Sequence, residues 1–131
     1  MLGLYRNMSF TAIILAAGKG TRMKSALAKP LHQVGGRAML AWSIDVAKAA
    51  GASRIVSVLS PGSEDIQAWL DGATFAIQRE QNGTGDAVAA ARDAVGGKDG
   101  IAIIMFADTP LVTAASLTAL ADCVAGGAAI A

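Results

Sequence analysis

Apolar residues fall along this chain in short runs, and the runs alternate between two rhythms. Phe10–Leu15 is a compact, β-branched stretch that predicts a strand, and the Gly- and Lys-rich segment 16–29 behind it predicts a loop. Residues 30–36 read as irregular. Over Ala38–Ala50 the spacing becomes helical, with Met39, Trp42, Val46 and Ala49 on one side and Gly51 as the stop. Arg54–Leu59 predicts a second strand. Pro61-Gly62-Ser63 predicts a turn, with Ser63 placed to N-cap a helix reaching Leu70. Ala73–Gln78 predicts a third strand and Thr84–Val95 an alanine-rich helix closed by Gly96-Gly97. Ile101–Phe106 predicts a fourth strand; being apolar throughout, it is expected to be buried on both faces. Thr113 or Ala114 opens a last helix to about Val124. Residues 1–9 read as a leader, and residues 10–131 as one unit that stops where another strand is expected.

Strands alternating with helices predict an α/β fold: a Rossmann-like, mostly parallel sheet with right-handed crossovers and helices on both faces. In such sheets ligands bind beyond the carboxyl ends of the strands. The segments 16–29, 79–85 and 107–110 follow the first, third and fourth strands, so they are expected to meet at one edge.

Composition narrows this picture. The chain has 131 residues and an apolar fraction of 53%, but 29 of its residues are Ala, which favours helix and fills little volume. The apolar run Ala12 to Ala17 is six residues long, far short of the about 20 needed to cross a bilayer. It is also a poor signal peptide, so no membrane partner is expected. A single Cys123 excludes an internal disulfide and a cysteine-cluster zinc site, and a cytoplasmic setting follows as the default.

The net charge of +1 hides an asymmetry. Arg6, Lys19, Arg22, Lys24, Lys29 and Arg37 are the only charged residues of the first 44, and all ten acidic residues lie beyond them. Aromatic residues amount to 5%, so the interleaved basic and aromatic pattern of a nucleic-acid binder is missing. What remains is either a solvated basic loop or a local site for a small anion such as a phosphate chain.

Leu15-Ala16-Ala17-Gly18-Lys19-Gly20-Thr21-Arg22-Met23 is the first segment with chemistry in it. It is not a Walker A loop, because Gly20 follows Gly18-Lys19 and Ile13 stands where the first Gly belongs. Nor is it a dinucleotide fingerprint, because Met23 replaces the third Gly and no acid ends the second strand. Taken alone, it fits an ordinary βα turn as well as a loop whose amides approach a ligand beside Lys19 and Arg22. Gln78 offers an amide donor and acceptor, Thr84 fits a helix N-cap, and Asp108 fits either a turn before Pro110 or a hard carboxylate for Mg²⁺.

Together the segments carry more. Leu15–Met23 with Lys29-Pro30-Leu31-His32 resembles the signature of the sugar-phosphate nucleotidyltransferases. Gln78–Ala87 resembles the uracil-binding turn of the bacterial uridylyltransferases among them, and Phe106-Ala107-Asp108-Thr109-Pro110-Leu111 their metal-binding segment. The resemblance implies a GT-A-like nucleotidyltransferase half-domain that uses UTP and a sugar 1-phosphate. The reaction would be uridylyl transfer to N-acetylglucosamine 1-phosphate, giving UDP-N-acetylglucosamine and pyrophosphate. It further implies nucleotide binding by Leu15, Ala16, Ala17, Gly18, Gln78, Gly83 and Thr84, catalytic charges on Arg22 and Lys29, and Mg²⁺ on Asp108. A homo-oligomer is expected of a full-length protein, and no uridylyl transfer is expected of these 131 residues alone. A CTP- or GTP-using relative, or a nucleotide-binding product without catalysis, are the alternatives. Two positions depart from the family's pattern: Ala107 replaces the usual Gly, and Asp86 stands where His is frequent. A carboxylate at 86 would repel bound phosphates unless it points to solvent or serves the first turn of a helix. His32 is expected to be a packing or hydrogen-bonding residue, Trp42 and Trp69 to lie in the core, and Cys123, in an apolar helix, to be inert.

Overall fold

The computed structural model describes residues 9–18, 20–70, 72–97 and 99–131. Lys19 and nearly all of the expected leader lie outside them.

Three of the four long strands form where the β-branched runs predicted them, residue for residue: β1 (Phe10–Leu15), β4 (Arg54–Leu59) and β6 (Ile101–Phe106). With β5 (Thr74–Ile77) they make one parallel sheet in the order β5-β4-β1-β6. The chain builds outward from β1 to β4 and β5, then crosses to the other side of β1 for β6. That reversal beside β1 is the place where such sheets leave a crevice at their carboxyl edge.

Side-chain alternation sends the two faces of the sheet into two cores. On one face Phe10, Ala12, Ile14, Ile55, Leu59, Ile103 and Met105 pack against α1 (Met39–Ala49), α2 (Glu64–Gln67) and α5 (Ala114–Ala125). On the other, Ile13, Val56 and Val58 meet α3 (Thr84–Ala90) and α4 (Arg92–Val95) through Ala87, Ala91, Ala94 and Val95. Helices therefore flank both faces, as expected for the α/β class.

Several local expectations are corrected. The stretch expected to be irregular, 30–36, instead carries most of a short hairpin, β2 (Gln33–Val34) and β3 (Arg37–Ala38), turning on Gly35 and Gly36 at φ 59° and 77°, and Ala38 belongs to this hairpin rather than to the helix. Both central residues of such a two-residue turn need positive φ, which Gly supplies without a Cβ penalty. The buried stripe of α1 is Leu40, Ile44 and Ala47 with Met39 and Ser43. Burying Leu40 and Ile44 there stabilises by about 1.5–3 kcal/mol each. Trp42 lies off that stripe, half-buried, donating from Nε1 to the Val34 carbonyl at 2.8 Å beneath the Arg37 guanidinium. Ser63 does not cap α2; its hydroxyl pairs with that of Ser60. The alanine-rich helix breaks at Ala91 into α3 and α4, and the Gly96 end is met by Arg54, which donates to the Ala94 carbonyl at 3.0 Å.

Burial on both faces fails for β6. Ile103 and Met105 are buried, while Ile104 and Phe106 are each 47% exposed. The reason is topological: β6 is an edge strand, and α3 and α4 cover β1 and β4 instead. Trp69 is likewise 41% exposed rather than core, and Cys123 is exposed on α5. Thr113 does cap α5, its Oγ1 accepting from the Ser116 amide at 3.2 Å.

Candidate nucleotide site

The ladders of the sheet continue one residue past three strands, and this places the site. The Ala16 amide donates to the Val58 carbonyl at 2.9 Å, the Ala107 amide to Leu15 at 3.1 Å and the Gln78 amide to Leu59 at 2.8 Å. Three loops thus leave the sheet at one level, after β1, β5 and β6. They converge as expected, around a cavity of about 270 Å³.

The cavity wall gathers Leu15 at the end of β1 with Ala16, Ala17 and Gly18 behind it, Gln78, Gly83 and Thr84 after β5, and Asp108 after β6, with Lys29 from the basic loop. Nine of the ten residues singled out in the sequence therefore share one wall. The tenth, Arg22, does not. It sits on a single 3-10 turn, Thr21–Met23, with residues 21–28 all exposed, outside the lining. Left-handed backbone at both ends of that turn, Gly20 at φ 56° and Lys24 at φ 47°, swings the segment outward. Gly20 is required twice over: its φ is positive, and a Cβ there would lie 2.7 Å from the Lys29 Cβ. Gly18 is different. A Cβ would meet nothing within 4 Å, so the fold itself leaves that side of the cavity wall open.

The two ends of the cavity differ in kind. At one end Lys29 Nζ donates to Asp108 Oδ2 at 2.6 Å, an ion pair whose side chains keep 36% and 41% of their surface in solvent. At the other end Gln78 is 5% exposed. Its Nε2 donates to Asp86 Oδ2 at 2.8 Å and to the Gly83 carbonyl at 3.2 Å. Asp86 stands in the first turn of α3, half-buried, and is not on the cavity wall. Its carboxylate is thus engaged by an amide rather than aimed at a ligand. Gly83, at φ 103°, is the residue before α3, and Thr84 is its first residue, so Thr84 is not the N-cap. Among the described residues no group of three or more His, Cys, Asp or Glu could hold a metal, which leaves Asp108 as the hard carboxylate on the wall.

Sequence reasoning gave no role to Gln81, Pro30, Ala87 or Phe106, which complete the wall with Ala107. Gln81 Nε2 donates to the Ala17 carbonyl at 2.6 Å and so ties the β5 loop to the β1 loop. Its place inside the motif segment Gln78–Ala87 was the signal available. Ala107, the departure from the usual Gly, is 3% exposed and lines the cavity.

A model of the MobA-like NTP transferase domain matches residues 12–131. The chain belongs to this family. The transferase domain is 46% identical over 115 residues to the bifunctional protein GlmU of Geotalea uraniireducens, covering 86% of this chain and 25% of that protein. It is 48% identical over 126 residues to the GlmU of Maricaulis maris, covering 94% and 28%. The chain thus spans about a quarter of the length of the curated relatives it matches. Among solved structures, Rv0371c of Mycobacterium tuberculosis superposes with a TM-score of 0.77 at 24% identity, over 90% of this chain and 62% of that one. That protein has also been solved with manganese. A nucleotidyl transferase of Methanothermobacter thermautotroptrophicus gives 0.72 at 22%, over 88% and 57%. The transferase domain has their fold, a parallel four-stranded sheet with helices. Among the described residues no helix is long and apolar enough to cross a membrane.

Proposed function

We propose that this transferase domain binds UTP and serves uridylyl transfer to a sugar 1-phosphate, N-acetylglucosamine 1-phosphate in the reading its GlmU relatives favour. The observation that carries the proposal is the polarity of the cavity: a buried amide at one end, a cation and a carboxylate at the other, with glycine and alanine backbone between them. A nucleoside triphosphate has the same polarity, with a flat hydrogen-bonding base at one end and a chain of negative charge at the other.

In this reaction a phosphate oxygen of the sugar attacks the α-phosphorus of UTP and pyrophosphate leaves in line. Both partners are anions, so the protein needs no nucleophile of its own; it must offset repulsion and hold the reactants aligned. Gln78 would read the base, with Gly83 and Thr84 beside it, and the 15–18 backbone would flank the nucleoside. Lys29 would turn from Asp108 to the phosphates as a point charge. Arg22 would reach the same phosphates only if its exposed turn folds over the bound ligand.

A magnesium ion fits Asp108: one exposed hard carboxylate with a displaceable partner suits a cation that takes one or two carboxylates and fills its remaining positions with phosphate oxygens and water. When bound it would neutralise charge on the phosphates. The test is calorimetric titration of the chain with UTP, CTP and GTP, with and without Mg²⁺. Tighter binding of UTP, strengthened by Mg²⁺, is expected. Preference for CTP or GTP would move the reading to another nucleotidyltransferase, and no binding of any nucleotide would end it.

A further inference from the structure

Gln78 is buried, and both of its amide hydrogens are spent inside the protein. A glutamine amide has two N–H donors on nitrogen and one acceptor oxygen. The donors go to Asp86 Oδ2 and to the Gly83 carbonyl, 2.8 and 3.2 Å away. An ionised carboxylate and a carbonyl only accept, so turning the amide over would set Oε1 against two acceptors. The orientation is therefore fixed by its partners and not by a choice between N and O. No described residue donates to Oε1. The side chain therefore has only an acceptor left to offer the cavity it lines. The sequence alone suggested a donor and an acceptor; the fold removes the donor.

We infer that Asp86 is a positioning residue for nucleotide choice: by holding the Gln78 amide in one orientation it makes this end of the cavity accept only, which admits uracil and rejects cytosine. The inference rests on the proposed reading that Gln78 faces the base. The chemistry is in the ring nitrogen. N3 of uracil carries a hydrogen that an acceptor can take up, whereas N3 of cytosine carries a lone pair that Oε1 would repel. Asp86 does this without touching the ligand, since it is not on the wall. Gly83 alone gives a weaker hold, because its bond is the longer of the two and its partner is uncharged.

The experiment measures the CTP-to-UTP ratio of dissociation constants for the chain and for Asp86→Ala, Asp86→Asn and Gln78→Ala, with inorganic triphosphate as a base-free control. Asp86→Ala is expected to lower the ratio about tenfold, as for other buried polar groups that lose their complement. Asp86→Asn, whose Oδ1 still accepts from Nε2, is expected to keep the ratio within about twofold, since the acceptor and its geometry remain. Triphosphate affinity should be the same in all four. A ratio kept in Asp86→Ala but lost in Gln78→Ala overturns the inference and leaves the base reading standing. A ratio lost in Asp86→Asn also overturns it. A ratio kept in Gln78→Ala defeats the base reading itself. Should Asp86→Ala fail to fold, NMR on the unaltered chain decides: the Gln78 side-chain NH₂ must show slowed hydrogen exchange, and exchange at the rate of a free glutamine overturns the inference.

Discussion

The two ends of the cavity are built on opposite principles. At the Gln78 end a buried amide nitrogen is held by two fixed partners, the half-buried Asp86 carboxylate and the Gly83 carbonyl. Such a network is costly to disturb, because any group left unpaired in a dry setting pays its full desolvation. At the Lys29 end the pair is close but solvated. A surface ion pair contributes little and is exchanged easily for another partner. The first end suits recognition, where orientation must not vary. The second suits charge that has to change hands when a polyanion arrives.

The largest effect should come from breaking the charged end. Lys29→Ala is expected to weaken binding of UTP, CTP and GTP alike by about ten- to a hundredfold, the range for a lost hydrogen bond to a charged group. Calorimetry on the three nucleotides checks it. Unequal losses would mean that the charged end also reads the base and that the contrast between the ends is false. Gln78→Ala is the complementary cut: about a tenfold loss for UTP, and almost none for inorganic triphosphate. A matching loss for triphosphate would make Gln78 a general structural support.

Much of this was legible in the sequence, and what was not has a physical reason. Strands β1, β4 and β6 were found to the residue because β-branched runs between turn residues are a local signal. Convergence of the three loops followed from the rule for parallel sheets. Exposure of Ile104 and Phe106 was illegible, because it depends on which strand ends at the edge and where α3 and α4 lie, and neither is local. The β2–β3 hairpin was legible and missed: Gly35-Gly36 between two dipeptides is a hairpin turn signal. In the site, residue identities were readable from motifs, but their pairings were not. Nothing in the sequence joins Lys29 to Asp108 across 79 positions, or Asp86 to Gln78.

Ionic strength separates the ends without any mutation. Raising salt from about 0.05 M to about 0.5 M shortens the Debye length severalfold and screens exposed charges more than buried hydrogen bonds. Affinity for all nucleotides is expected to fall severalfold while the UTP-to-CTP ratio stays constant, which titrations at the two salt levels measure. A ratio that drifts with salt would show that the base end is wet.

The smallest effect concerns what the ion pair does for the fold. Asp108→Asn keeps the size of the side chain and removes its charge, so the 2.6 Å bond to Lys29 becomes an ordinary one or is lost. With both partners more than a third exposed, water takes over most of what is removed. The expected cost is below about 1 kcal/mol, a shift of a few degrees in Tm by thermal denaturation. The same variant should bind Mn²⁺, followed by its paramagnetic signal, much more weakly in the presence of UTP, because the carboxylate charge that holds the cation is gone. The two measurements together decide the place of this residue. A small change in Tm with a large loss of metal binding leaves the exposed pair as a placeholder for ligand. A loss of several kcal/mol with metal binding unchanged would make Asp108 a structural turn residue, and the charged end would then be built on the same principle as the buried one.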